Sequence, residues 1–199
     1  MCHHYCQASR PRPADYGVHR DRLQLEFPEG GFYPLSRVPI VRFDLAGERE
    51  LIAAEWGLLP FWWKPSGAAI SRKAFQRRCF NARSETAAEK PAYREAFKHR
   101  RCLIPATEFY ERGHGFRFAD ARPFAFAGLW ESWSAGDGET IESCTLLTTE
   151  PNEMIRSVGH HRMPVLLSDE REYAAWLDLA EVSTAPTPAD AMTLRALST

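Results

Sequence analysis

Residues 38–43 and 50–56 are short stretches rich in apolar side chains, separated by Ala46-Gly47-Glu48, and this pattern predicts two strands joined by a turn. Further short apolar or alternating runs at 101–105, 108–112, 116–119, 123–130 and 141–149, broken by Gly, Asp and Pro, predict more strands. A helix over 91–101 is predicted from Pro91 at its first position and from Tyr93 and Phe97 four residues apart on one face. A second helix starts at Ser168, has the acidic first turn Asp169-Glu170, and can bury Tyr173, Ala174, Trp176 and Leu177. Between Trp56 and Pro65 two prolines and a glycine argue for a shaped aromatic loop. The strands do not alternate regularly with helices, so the expected fold is α+β: one domain with a mixed, mostly antiparallel sheet rolled into a barrel-like core and a few flanking helices. That domain is expected to span residues 1–180. Residues 181–199, rich in Ala, Ser, Thr and Pro, are expected to form a tail.

Composition adds to this picture. With 199 residues, 44% of them hydrophobic, the chain is long enough to bury one substantial core. No apolar run approaches the roughly 20 residues that cross a bilayer, and a cytoplasmic protein without a membrane partner is expected. Five cysteines, an odd number at irregular spacings, do not form a disulfide framework and suit a reducing compartment. The net charge is -1, yet residues 71–117 hold twelve Lys/Arg against five Glu, so a local anion-binding face is possible despite overall neutrality. A solvated surface laced with ion pairs would show the same count.

Cys2 carries the most distinctive chemistry. Once Met1 is removed, its α-amine and thiol form a 1,2-aminothiol. Such an amine, with a pKa of about 8, attacks an aldehyde to give an imine, and the thiol then closes a five-membered thiazolidine. Cys2, His3, His4, Cys6, His160 and His161 include soft-metal ligand types, but their spacing matches no common zinc pattern. No metal and no cofactor are expected. Aromatic residues around 56–63, beside Lys64 and the basic segment, suit stacking of unpaired bases, although tryptophan is more often a core residue.

Several motifs follow one another along the chain: Cys2 after the initiator Met, Trp56-Gly57 with Pro60 and Trp62-Trp63, Asn81-Ala82-Arg83-Ser84-Glu85-Thr86, and Cys102-Leu103-Ile104-Pro105-Ala106 with Phe109-Tyr110-Glu111. Residues 124–131, Thr148-Thr149-Glu150-Pro151-Asn152 and His160-His161-Arg162-Met163-Pro164 complete the series. In this order, over residues 2 to about 177, they resemble the SOS response-associated peptidase (SRAP) family. The resemblance implies recognition of abasic sites in single-stranded DNA and their covalent capture. It implies that Cys2 is the nucleophile, Asn81 holds the terminal amine, Glu111 exchanges protons with the opening sugar, and His160 is the acid/base for the imine. It further implies that Arg83, Trp62, Trp63, Thr148 and Arg162 border or contact the DNA. The chain departs from the family pattern in having His3-His4 for the usual Gly-Arg, no Asn matched before Pro34, Arg112 for a Trp, and His161 for an Asp. A monomer is expected. A cysteine-dependent peptidase with an N-terminal nucleophile and a non-catalytic single-strand binder are the alternatives.

Overall fold

The computed structural model describes residues 2–65, 71–136 and 138–197. In chain order its strands are β1 (Tyr5–Cys6), β2 (Arg20–Asp21), β3 (Arg37–Phe43), β4 (Arg49–Trp56), β5 (Asn81–Arg83), β6 (Arg101–Ala106), β7 (Glu108–Glu111), β8 (His114–Phe118), β9 (Phe124–Ser134), β10 (Thr140–Thr149), β11 (Met163–Pro164), β12 (Leu166–Leu167) and β13 (Met192–Ala196). The helices are α1 (Arg72–Gln76), α2 (Arg94–His99), α3 (Glu153–Ser157) and α4 (Glu170–Leu177).

Strands β10, β4, β3, β6 and β9 neighbour one another in that order, and β9 pairs back onto β10, closing a five-stranded barrel. All of these pairings are antiparallel except β4 with β10, so the barrel is mixed, as the strand pattern suggested. A second, antiparallel sheet has the order β1-β7-β8-β13. Side chains alternate between two cores, as the two-residue strand period requires. Cys102, Ile104, Phe126, Leu146 and Trp56 join Tyr5, Phe109 and Phe116 of the small sheet in one. Leu103, Ala125, Ala127 and Leu147 join Ala96 of α2 and Trp176 of α4 in the other.

The helices are short, and side-chain caps from Ser71, Asn152 and Asp169 define the starts of α1, α3 and α4. Asp169 accepts from the N–H groups of Arg171 and Glu172, so the cap of α4 lies one residue after Ser168. Trp176 of α4 donates its indole N–H to the carbonyls of Cys102 and Gly128 at 3.1 and 3.2 Å, which pins the helix to β6 and β9. The predicted helix over 91–101 is shorter in the structure: the chain turns through Pro91 to Tyr93, and α2 starts at Arg94. Within the compositionally biased stretch 181–199, β13 pairs with β8 over Met192 to Ala196 and forms an edge of the small sheet. Residues 198 and 199 lie outside the described residues.

Candidate active site

Because β1 runs antiparallel to β7 with Tyr5 opposite Phe109, the residues before Tyr5 are drawn along β7 toward its last residue, Glu111. The Tyr110 N–H extends this ladder onto the His4 carbonyl at 3.0 Å. Cys2 is consequently buried, and its thiol donates to the same His4 carbonyl at 3.6 Å. Met1, whose removal would create the aminothiol, is outside the described residues.

Asn81 comes from β5, which lies parallel to β10 with Asn81 beside Leu146 and Arg83 beside Thr148. The strand period turns Asn81 and Arg83 to one face and Ala82 to the core. Asn81 Nδ2 donates to the Cys2 carbonyl at 2.7 Å, while its buried Oδ1 has no hydrogen-bond partner among the described residues. The Asn81 main-chain carbonyl in turn accepts from the Tyr93 hydroxyl at 3.2 Å.

After α3 the chain turns at Gly159, whose φ of 77° lies in the left-handed region, and His160 Nε2 comes within 3.0 Å of Glu111 Oε2. The other ring nitrogen, Nδ1, is 2.7 Å from the Arg162 carbonyl. A carbonyl only accepts, so Nδ1 carries a hydrogen; the Arg162 N–H, 3.4 Å away, is too distant to compete. The Nε2 to Oε2 contact therefore holds a single proton, shared by the imidazole and the carboxyl. Burial raises Glu111 to about 7 and lowers His160 below its ordinary value. On the acid side of neutrality the proton resides on Glu111, and the pair then presents a carboxylic acid next to a neutral base. Burial also pushes the Cys2 thiol far above the usual thiol range, and Glu111 adds to this when it is ionised. The resting thiol is protonated.

The residues expected to contact DNA divide into two groups. Arg83 is exposed, and with Trp62, Phe75, Asn81, Lys90 and Tyr93 it lines an apolar cleft of about 550 Å³ with a cationic rim. Trp62 is 43% exposed and tethered by its indole N–H to the Pro91 carbonyl at 3.3 Å, whereas Trp63 is 8% exposed and packs edge-on against Trp133. Trp63 is a core residue in this structure. Arg162 is likewise not a free cation: it makes a two-pronged ion pair with Glu85 at 2.7 and 2.8 Å and also bonds the Thr148 carbonyl. Its place is behind His160, and buried Thr148 lies below it, its hydroxyl on the Ala82 carbonyl. Other cations of the basic segment are engaged too, Arg72 with Glu55 and Arg100 with Glu131.

Sequence reasoning gave no site role to Glu85 or Tyr93, and weighed His4 only as a soft-metal ligand type. Glu85 stands within a quoted motif, but its pairing across the fold with Arg162 has no local signal. Among the described residues no group of three His, Cys, Asp or Glu is arranged to hold a metal ion, and no helix is long and apolar enough to span a membrane.

The family model described as SOS response associated peptidase (SRAP) matches residues 1–199. The chain belongs to this family. Among SRAP relatives it is similar to the "Abasic site processing protein YoaM" of Bacillus subtilis, 36% identical over 166 residues, covering 76% of this chain and 69% of that one. "Abasic site processing protein YoqW" of Bacillus phage SPbeta is 34% identical over 165 residues, covering 76% and 70%. "Abasic site processing protein HMCES" of Gallus gallus is 29% identical over 178 residues, covering 75% of this chain and 52% of its own length. A crystal structure of a Bordetella bronchiseptica protein superposes with a TM-score of 0.78 at 27% identity over the whole of both chains. One from Bacteroides thetaiotaomicron gives 0.82 at 24% identity, covering 99% of this chain and 92% of that one.

Proposed function

We propose that this SRAP protein recognises abasic sites in single-stranded DNA and, once Met1 is removed, captures them covalently through Cys2. The observation that carries the reading is the convergence of Cys2, Asn81, Glu111 and His160: the nucleophile is held by Asn81 beside an acid and a base that share one proton. Membership of the family, and relatives named as abasic site processing proteins, support a role in handling DNA damage.

An abasic deoxyribose exists mainly as a closed hemiacetal and must open to an aldehyde before it can react. Glu111, whose raised pKa keeps a share of it protonated around neutrality, donates to the ring oxygen while neutral His160 takes the proton from the anomeric hydroxyl, so opening proceeds without net proton loss. The Cys2 amine then attacks the aldehyde carbon, and loss of one water gives the imine. Asn81 Oδ1, a buried acceptor without a partner, suits an N–H of that amine. The thiol finally adds to the imine carbon, its proton passing to the imine nitrogen, to close a thiazolidine. The order fits the raised thiol pKa, because the sulfur is needed only after the imine has formed. Arg83 and Lys90 supply cationic contacts for the phosphates, and exposed Trp62 offers a face on which a neighbouring base stacks.

The decisive experiment is Cys2→Ala, tested without borohydride against single-stranded DNA containing an abasic site. The alanine amine still forms an imine but cannot close the sulfur ring, so no stable adduct is expected. A stable adduct at normal yield would refute the thiazolidine mechanism.

A further inference from the structure

We infer that His4 is the positioning residue for Cys2: its imidazole, clamped between Tyr33 and Tyr110, fixes the segment that presents the nucleophile. This rests on the covalent role proposed for Cys2. The imidazole stacks on Tyr33 at 4.3 Å between centroids and 14° between planes, and on Tyr110 at 4.2 Å and 29°. Its Nε2 donates to the Gly30 carbonyl at 2.7 Å.

The walls of this clamp are held from outside it. Tyr110 donates its hydroxyl to Glu108 at 2.8 Å, and Arg195 of β13 grips Glu108 with two bonds of 2.7 and 2.8 Å. The loop bearing Gly30 is tied to β1 by reciprocal main-chain bonds between Tyr5 and Phe32. Gly31, at φ 82°, leaves the room: a Cβ there would lie 2.9 Å from His4 Nε2 and 2.6 Å from the Tyr5 carbonyl.

The His4 main chain connects the clamp to the chemistry. Its carbonyl accepts both the Tyr110 N–H and the Cys2 thiol, so the plane of that peptide sets where the sulfur points. With Asn81 on the Cys2 carbonyl, the segment is tethered on both sides of His3. A side chain at position 4 must therefore be flat enough for the tyrosine slot and must carry a donor for Gly30. Histidine meets both demands, and Phe meets only the first. Small displacements of a reacting group cost rate far more than binding.

The test compares wild type, His4→Ala and His4→Phe, each confirmed by intact mass to have lost Met1. Three quantities are measured: deuterium exchange over residues 2–6, the single-turnover crosslinking rate at saturating abasic DNA, and affinity for DNA carrying a tetrahydrofuran abasic analogue, which cannot open to an aldehyde. For His4→Ala, exchange over residues 2–6 is expected to accelerate and the crosslinking rate to fall on the order of 10- to 100-fold. Affinity for the analogue should stay within about two-fold, and His4→Phe, which keeps the stacking but not the Gly30 bond, should regain only part of the protection and the rate. Unchanged exchange in His4→Ala would overturn the inference. So would a loss of analogue affinity as large as the loss of rate, since that would make His4 a DNA contact. If wild-type protein forms no crosslink, the covalent function fails, while the exchange data still decide whether His4 holds the segment.

Discussion

Replacing Glu111 by Gln should make the protein more stable, and the gain should depend on pH. The carboxyl is 2% exposed, and its pKa is raised from 4.5 to about 7 by burial. A carboxyl that binds its proton more tightly when folded contributes stability that is fully present below the unfolded pKa and is lost as pH rises through the folded one. Here the loss begins near 4.5 and is complete above about 7. The separation of the two values, at 1.36 kcal/mol per unit, amounts to about 3 kcal/mol of lost stability on the alkaline side. Gln cannot ionise, and its amide N–H can donate to His160 Nε2 as the protonated acid does, so the variant avoids the loss while keeping the contact. Urea unfolding of both proteins should give nearly equal free energies near pH 4 and a gap of about 3 kcal/mol in favour of Glu111→Gln near pH 8.5. In thermal unfolding the alkaline gap corresponds to a shift on the order of 10 °C for a chain of this size. A difference that does not vary with pH, or a variant less stable than wild type at pH 8.5, would refute the assignment of the shared proton to Glu111. The same substitution should slow crosslinking, because Gln cannot deliver a proton to the sugar.

Four further outcomes are expected. Trp62→Ala should weaken binding of single-stranded DNA by about 1–3 kcal/mol, the worth of one stacked base, with little change in stability. Trp63→Ala should instead lower unfolding stability by about 3–5 kcal/mol, which calorimetry and a binding titration on the two variants would separate. Arg83→Ala should reduce the slope of log affinity against log salt by about 0.7, the value for one phosphate contact on a single strand, and an unchanged slope would remove Arg83 from the interface. His160→Ala should still bind abasic DNA but form or reverse the crosslink about 100-fold more slowly, as measured in single-turnover gels on metal-free protein.

The barrel was legible because its strands are short apolar runs bounded by turn residues; Cys102, Leu103 and Ile104 are all buried, with alternate side chains entering different cores. The biased stretch near the C-terminus hid β13, since Thr193, Leu194 and Arg195 are exposed on an edge strand that needs no apolar alternation. At the site, motif order singled out Cys2, Asn81, Glu111 and His160, but composition could not reveal that His160 and Glu111 share one proton. That depends on a tautomer set by the Arg162 carbonyl. Trp62 and Trp63 are adjacent in an irregular loop, where no period tells which faces outward. Arg162 looked available to phosphate because its neutralising partner, Glu85, is distant in sequence.

The pairing of β1 with β7 has a consequence in time. Tyr5 and Phe109 are about a hundred residues apart along the chain, and contacts so far apart close late and slowly. During synthesis Cys2 leaves the ribosome early, yet the aromatic slot beside it requires Tyr110, and the acid and base proposed for it are Glu111 and His160. The nascent N-terminus therefore lacks its acid and base until most of the chain has been made. Cellular aldehydes would meet a flexible, unassisted aminothiol until then, and the chemistry would be directed to DNA only when the domain closes.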